Sequence, residues 1–171
     1  QKDLTLVAGL KGEMSNGTSY DVSLASGSNE LRYFLNNTTA PSLGVASDGT
    51  FQRDFDLGGY DQNEININAD FGTSLGSDMF LAYGAEWREE TFTTVPGEQA
   101  AIDGDTSGMS SVKPADAGEF SRDNLAFYAD LDHEVSDQLF MQYAIRYEDF
   151  SDFGSTINGK VAGRYTVSDA L

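Results

Sequence analysis

Length, composition and charge exclude several classes of protein. The 171 residues include 28 acidic and 10 basic side chains, which give a formal net charge of −18 at pH 7. This acidic excess excludes a nucleic-acid-binding protein, because binding to phosphates requires clustered Lys and Arg. The sequence has no cysteine, so thiol chemistry and disulfide bonds are excluded as well.

Alternating apolar and polar residues predict two antiparallel strands at the start of the chain. The first covers about residues 3–13, where every second residue from Leu4 to Leu10 is apolar. The second covers about residues 20–29. Between them, Asn16-Gly17 is the strongest short signal for a hairpin turn.

A second pair of strands is predicted at about residues 64–71 and 79–92, joined by a short turn. Two long irregular segments flank this pair, at residues 30–62 and 93–120. Loops of this length are uncommon in compact domains and are usually functional or mobile. All three prolines fall in these segments, as expected if every strand interior needs its N–H donors.

Three further strands are predicted at about residues 125–135, 139–148 and 160–167, with a polar turn at 136–138. Each strand has one apolar and one charged face. The apolar face carries Leu125, Phe127, Leu131, Leu139, Met141, Tyr143, Ile145, Tyr147, Val161 and Tyr165. Residues 168–171 resemble the start of another strand.

The lengths and connections of these strands predict the fold class. Strands of soluble domains usually have about five or six residues, whereas a tilted strand needs about 9–11 residues to cross a bilayer. Short turns follow the first, third, fifth and seventh strands and longer connections follow the second, fourth and sixth, which is typical of bacterial outer-membrane barrels. The sequence therefore predicts an all-β, antiparallel up-and-down meander of about seven long strands, a fragment of a transmembrane β-barrel.

The block at residues 146–165, RYEDFSDFGSTINGKVAGRY, resembles the barrel of TonB-dependent outer-membrane receptors. In that family an Arg-Tyr-Glu-Asp-aromatic-Ser-Asp-Phe-Gly run ends one strand and a Gly-x-Lys opens the next. Residues 40–44 and 83–92 resemble further pieces of the same barrel. The matching positions of the main block are Arg146, Tyr147, Glu148, Asp149, Phe150, Ser151, Asp152, Phe153, Gly154, Gly159, Lys160, Arg164 and Tyr165.

The resemblance implies capture of a scarce nutrient at the bacterial outer membrane: an iron–siderophore complex, cobalamin or an oligosaccharide. Import in this family is driven through TonB, which contacts an N-terminal plug. Residues 1–171 are expected to be a single barrel segment with long loops at 30–62 and 93–120, without a plug and without transport activity of its own. The expected partners are outer-membrane lipid and the ligand, with TonB acting only through the absent plug. Open sheet edges are expected to let the isolated segment self-associate.

Two groups of side chains are candidates for function. The first group lies in the segment 30–62 and either binds a polar ligand with faces to stack or packs the loop. It consists of Arg32, Tyr33, Phe34, Phe51, Arg53, Phe55 and Tyr60. The second group has lumen-facing parity and either forms a hydrated salt-bridge network or lines the ligand passage. It consists of Glu86, Arg88, Glu90, Asp130, Asp132, Arg146, Glu148, Lys160 and Arg164.

No catalytic site, metal site or cofactor is predicted. The sequence has a single histidine and no Cys, which leaves no Ser/His/Asp or Cys/His arrangement to nominate. Residues 103–108 resemble the start of a calcium loop, but Pro114 stands where the bidentate Glu is required. The alternative to a receptor barrel is a soluble secreted β-sandwich, either an adhesin or a carbohydrate-binding module.

Overall fold

The computed structural model describes residues 1–167, so the strand predicted to start at 168–171 lies outside the described residues. Seven strands follow one another along the chain: β1 (Lys2–Glu13), β2 (Ser19–Leu35), β3 (Phe55–Ser74), β4 (Met79–Pro96), β5 (Gly118–Ser136), β6 (Leu139–Phe150) and β7 (Gly154–Tyr165). A short helix, α1 (Gln99–Gly104), and a 3₁₀ turn (Pro114–Asp116) lie between β4 and β5.

The seven strands form one open antiparallel sheet in which each strand pairs with its neighbours in sequence. This order confirms the predicted up-and-down meander. A two-sheet sandwich, the alternative fold, is wrong, because all seven described strands belong to this one sheet. The described helices are too short and too polar to cross a membrane.

The first hairpin forms because of its turn residues. Gly17 has φ 81°, a left-handed conformation that glycine adopts without a steric penalty. The turn closes with a hydrogen bond of 2.8 Å from the N–H of Met14 to the carbonyl of Thr18. The side chain of Asn16 adds a second bond, accepting from the N–H of Thr18 at 3.1 Å. The predicted Asn-Gly turn is therefore where β1 and β2 join.

Several strands are longer than predicted, which shortens both long loops. The loops cover residues 36–54 and 97–117, and the predicted bounds of 30–62 and 93–120 are wrong. The prediction placed Gly58 and Gly59 in the irregular segment 30–62 and began the next strand at about residue 64. These glycines instead lie inside β3, where the backbones approach closely: a Cβ added to Gly59 would lie 1.9 Å from the carbonyl oxygen of Leu31.

The last three strands pair in a continuous register. Ile145 on β6 lies opposite Ala129 on β5 and Gly159 on β7. The β5–β6 register is regular from Asn124 to Glu134 and shifts only before Ser136, at the turn. Because side chains alternate along a strand, this register places the apolar residues of all three strands on one face.

Exposure of side chains is reversed relative to a water-soluble sheet. On β6, Tyr143, Ile145 and Tyr147 are 40%, 55% and 37% exposed, whereas Arg146 and Glu148 are half-buried. The same face of other strands exposes Leu4, Leu6, Leu10, Val22, Leu24, Ile65, Ile67, Tyr83, Leu125, Phe127, Ile157, Val161 and Tyr165. So large an apolar surface marks contact with lipid or with another protein.

The described chain forms two compact units, each assembled from separate stretches. The loop unit combines residues Gln1–Thr5, Gly27–Glu64 and Glu90–Ser121, and contains both long loops and the strand ends beside them. The strand unit combines Leu6–Ser26, Ile65–Glu89 and the described residues from Arg122 onward.

Candidate functional site

The loop unit has a small hydrophobic core of its own. Phe55 and Leu57 from the start of β3 and Ala101 from α1 are each 2% exposed. Tyr33, Leu35, Ala40 and Ala100 pack around them. Burying a Phe or Leu side chain contributes about 1.5–3 kcal/mol. Phe55, one of the predicted recognition residues, thus packs the loop and presents no surface to a ligand.

Hydrogen bonds tie the second loop to the first. The Glu98 carboxylate accepts from the side chain of Gln52 at 2.7 Å and from the N–H of Asp56 at 3.2 Å. The N–H of Glu98 donates back to the carbonyl of Asp56 at 3.0 Å. Further along, Ser107 donates its N–H to the carbonyl of Thr39 at 2.9 Å. The two loops of this unit therefore form one connected structure.

A cleft of about 540 Å³ opens in the first loop. Its lining consists of Thr38, Thr39, Ala40, Pro41, Leu43, Gly44, Phe51, Gln52 and Arg53. Two predicted recognition residues, Phe51 and Arg53, come together here, and the Phe51 ring is 65% exposed. Sequence reasoning did not find the threonines or Gln52, because polar residues in a loop carry no pattern that distinguishes a lining from a solvated surface.

A tight turn lies between the two sides of this cleft. The N–H of Ala46 donates to the carbonyl of Thr50 at 2.8 Å. Asp48 accepts from the hydroxyl of Thr50 at 2.6 Å and from its N–H at 3.0 Å, and these bonds lower the pKa of Asp48. Because the pKa of Asp48 is lowered, its hydrogen bonds to Thr50 stabilise the folded turn at neutral pH. This stabilisation is lost as the pH falls through the pKa of Asp48 in the folded protein.

Arg32 is the second basic residue of the predicted recognition group, and its guanidinium is already paired with Asp61. It lies on β2, and it makes a bidentate pair with Asp61 on β3 at 2.6 and 2.8 Å. Glu30 adds an ion pair at 3.6 Å. Phe34 follows Arg32 by two residues on β2 and is 60% exposed. It lies on the same face of the strand as the exposed residues Val22 and Leu24.

Three aromatic rings form a row along β2, β3 and β4. Tyr33 and Tyr60 meet edge to face at a centroid distance of 6.2 Å, and Tyr60 stacks on Phe92 at 5.6 Å. Tyr60 remains 37% exposed and Phe92 42% exposed. Both tyrosines were predicted from the sequence, but Phe92 was not. Phe92 lies two residues after Glu90 on β4 and therefore on the same face of the strand, which was the sequence signal for it.

A polar network covers one face of the strand unit. Arg146 on β6 reaches across β5 to Glu86 on β4, at 3.0 Å, and also pairs with Glu148 at 3.0 Å. The hydroxyl of Tyr128 donates to Asp70 at 2.6 Å. The ring lies over Gly84, where an added Cβ would be 2.6 Å from Tyr128 Cε1. Glycine at 84 thus leaves room for a bond between β5 and β3.

Three other residues predicted to face the lumen contact side chains on β6. Asp130 accepts from Gln142 at 3.3 Å, and Lys160 donates to Gln142 at 3.0 Å. Arg164 lies 5.4 Å from the ring of Phe140. Glu90 is half-buried on β4.

Some buried polar atoms on these strands have no partner within the described chain. They are Nε of Arg88, one oxygen each of Asp130 and Asp132, and both amide atoms of Asn124. Asn124, which sequence reasoning missed, is only 2% exposed. A buried polar group without a partner is costly, so these atoms indicate where water or another chain completes the face.

Replacing Arg146 with alanine is expected to destabilise the folded protein by about 1–3 kcal/mol, because Glu86 and Glu148 then share a half-buried site without a cation. The measurement is urea unfolding of the protein reconstituted in phospholipid vesicles. The control is Arg164→Ala, which removes an exposed arginine whose ring contact contributes less than about 1 kcal/mol. Equal effects of the two substitutions would contradict a structural role for the Arg146 network.

Comparison with known proteins agrees with the fold. A family model described as TonB dependent receptor-like, beta-barrel matches residues 1–171. No curated protein matches the chain. Among solved structures, the chain is similar to a mutant of the ferric enterobactin receptor PfeA from Pseudomonas aeruginosa, with 13% identity and a TM-score of 0.63 over 98% of this chain and 23% of that one.

The chain is also similar to the siderophore receptor PirA from Acinetobacter baumannii, with 16% identity and a TM-score of 0.56 over 98% of this chain and 23% of that one. At these identities the similarity shows the fold alone. The chain spans 23% of the length of these solved receptors.

The match over the whole chain confirms the family that residues 146–165 predicted. The family is a class of outer-membrane receptors and transporters of Gram-negative bacteria, and not a class of enzymes. On the strength of this match and of the seven-stranded antiparallel sheet, the chain belongs to the TonB-dependent receptor β-barrel family.

Proposed function

We propose that this chain forms part of the wall and outer loops of a receptor that binds a ferric siderophore outside the cell. In this proposal the receptor imports the complex through the outer membrane with energy delivered by TonB. The observation that carries it is the reversed exposure of β6, where Tyr143, Ile145 and Tyr147 are exposed and Arg146 and Glu148 are half-buried. A wall with lipid on one side and water on the other requires this arrangement.

The apolar face then contacts outer-membrane lipid, and the polar face lines the interior of the barrel. In this orientation the lumen-facing residues are Glu86, Arg88, Glu90, Asp130, Asp132, Arg146, Glu148, Lys160 and Arg164. The ion pairs of Arg146 support a role in the structure of the wall. The buried oxygens of Asp130 and Asp132 without partners in the described chain support contact with water or a second segment inside the barrel.

Residues 1–171 act as one segment of a larger wall and do not transport a ligand by themselves. This follows in the proposal from the open sheet, whose edge strands β1 and β7 need further strands to close the barrel. TonB acts through a plug that lies outside residues 1–171. Because edge strands carry unpaired backbone groups, the isolated segment is expected to self-associate through β1 and β7.

Ligand recognition is assigned to the loop unit. Phe51 and Arg53 line its cleft, and the exposed rings of Tyr60 and Phe92 offer a surface for stacking. A siderophore is preferred over cobalamin or an oligosaccharide because the two solved structures described above are named as a ferric enterobactin receptor and a siderophore receptor. Arg32 and Phe55 take structural roles, in an ion pair and in the loop core respectively.

The test is uptake by cells that produce the complete receptor carrying this chain. Cells in iron-limited medium receive radiolabelled iron as ferric enterobactin or as a neutral ferric hydroxamate, and matched cells receive labelled cobalamin or a labelled oligosaccharide. We expect iron uptake that requires both the receptor gene and TonB. If the cells take up only cobalamin or only the oligosaccharide, that compound is the ligand and the siderophore assignment is wrong. If they take up none of these ligands, the proposal of a nutrient receptor is refuted.

A further inference from the structure

Ser111 and Val112 of the second loop form a strap across the ends of β3 and β4. The N–H of Val112 donates to the carbonyl of Leu57, near the start of β3, at 2.9 Å. The carbonyl of Val112 accepts from the N–H of Gly97, just past the end of β4, at 3.0 Å. The hydroxyl of Ser111 donates to the same carbonyl of Leu57 at 3.3 Å. The strap therefore joins the strand end where the first loop finishes to the strand end where the second loop begins.

Two glycines make room for these contacts. A Cβ added to Gly97 would lie 2.7 Å from the carbonyl oxygen of Asp56, and a Cβ added to Gly58 would lie 2.7 Å from the backbone nitrogen of Gly97. Both neighbours are backbone atoms, which have no alternative rotamer that would relieve the contact. A larger residue at 97 would therefore push the start of β3 away from the strap.

Beyond the strap, the second loop is bonded to the first at a separate place. The hydroxyl of Thr38 donates to the carbonyl of Ser107 at 3.0 Å, and the N–H of Ser42 donates to the carbonyl of Gly104 at 3.3 Å. Gly104 also lies close against Ala40, since an added Cβ would be 2.7 Å from the Cβ of Ala40. Either loop can move away from the other only if these contacts break together with those of the strap.

The two loops also bury their apolar side chains in the same core. Phe55 and Leu57 stand at the end of the first loop and Ala101 lies on α1 in the second, and each is 2% exposed. Separating the loops would expose all three side chains to water at once. Segments that share a core and its hydrogen bonds open as one cooperative unit.

We propose that residues 36–54 and 97–117 form a single body that opens and moves as one, with the strap as the lock that holds this body to the ends of β3 and β4. Access past this part of the receptor is then controlled by one body and not by two independent loops. The device is the same whichever nutrient the receptor imports, so it goes beyond the proposed function.

The first test measures amide hydrogen exchange of the complete receptor in detergent at increasing urea concentration. Peptides from residues 36–54 and from 97–117 are expected to give the same free energy of opening, and a lower one than peptides from β6. Different values for the two loops would overturn the proposal. A common value equal to that of β6 would overturn it too, because the loops would then open only when the whole wall unfolds.

The second test weakens the strap. Gly97→Ala is expected to raise exchange in both loops by about ten-fold or more, because the added Cβ separates the strap from β3. The control is Gly49→Ala: Gly49 has φ 82°, and no atom of the described chain lies within 4 Å of an added Cβ. Its strain is expected to raise exchange only in the turn at residues 46–50. An increase confined to residues 97–117 in Gly97→Ala would show that the loops open separately.

The third test joins the loops covalently and leaves the strap intact. The hydroxyls of Thr39 and Ser107 are 3.3 Å apart, and the sequence has no cysteine, so Thr39→Cys with Ser107→Cys introduces one pair of thiols. After oxidation, iron uptake is expected to stay within about two-fold of the reduced form, because a bond inside one moving body restricts no motion of that body.

A loss of uptake on oxidation that a reductant reverses would show that the loops move separately, and failure of the disulfide to form would show that they do not meet here. Both results would overturn the single body. If the reduced variant and the wild type import no iron, the proposed siderophore function fails, while hydrogen exchange still decides whether the loops form one body.

Discussion

Replacement of Ile145 with arginine is expected to lower the yield of folded receptor in the outer membrane and to destabilise it by about 2–4 kcal/mol. Ile145 lies in the middle of β6, opposite Ala129 and Gly159, and is 55% exposed. On a water-exposed surface the same substitution would change stability by about 0.5 kcal/mol or less. Against lipid, however, the guanidinium loses its hydration without gaining a partner.

The measurement compares heat-resistant folded receptor in outer-membrane fractions, followed by urea unfolding in phospholipid vesicles. Ala144→Arg is the matched control, because residue 144 is the next position and belongs to the polar face. It lies opposite Asp130, whose second carboxylate oxygen has no partner in the described chain. A normal yield for Ile145→Arg, or an equal loss for Ala144→Arg, would contradict the assignment of the two faces.

Replacement of Gly59 with alanine is expected to destabilise the receptor on the order of 3 kcal/mol. An added Cβ would lie 1.9 Å from the carbonyl oxygen of Leu31 and 3.0 Å from the Cα of Arg32. These are backbone atoms, so β2 and β3 would have to separate. The separation would also disturb the Arg32–Asp61 pair on the same two strands.

The matched control is Gly27→Ala, because Gly27 lies on β2 with no atom within 4 Å of an added Cβ. The free energy of unfolding of Gly27→Ala is expected to change by no more than about 0.5 kcal/mol. A small increase is expected where alanine reduces the conformational entropy of the unfolded chain. Urea unfolding and limited proteolysis of residues 36–54 measure both variants. Similar stability and similar cleavage for the two variants would show that β2 and β3 are not packed this closely.

The sequence alone determined the strands, their order and the two faces of the sheet. Alternation is a local property, because successive side chains of any strand point to opposite sides. Tyr143, Ile145 and Tyr147 therefore share a face whatever lies around them. The Asn16-Gly17 turn is equally local, since glycine at 17 permits the positive φ that closes the hairpin. The family followed from the block at 146–165 for the same reason: its motif is contiguous.

Only the tertiary structure decided where the strands end and what each loop residue does. Gly58-Gly59 reads as a turn until a neighbouring strand is close enough to require glycine there. Phe51 and Phe55 are alike in sequence, yet one is 65% exposed on a cleft and the other 2% exposed in a core. Gln52 and Glu98 are 46 residues apart and still share a hydrogen bond. Such contacts depend on which distant segments meet, and local periodicity carries no information about that.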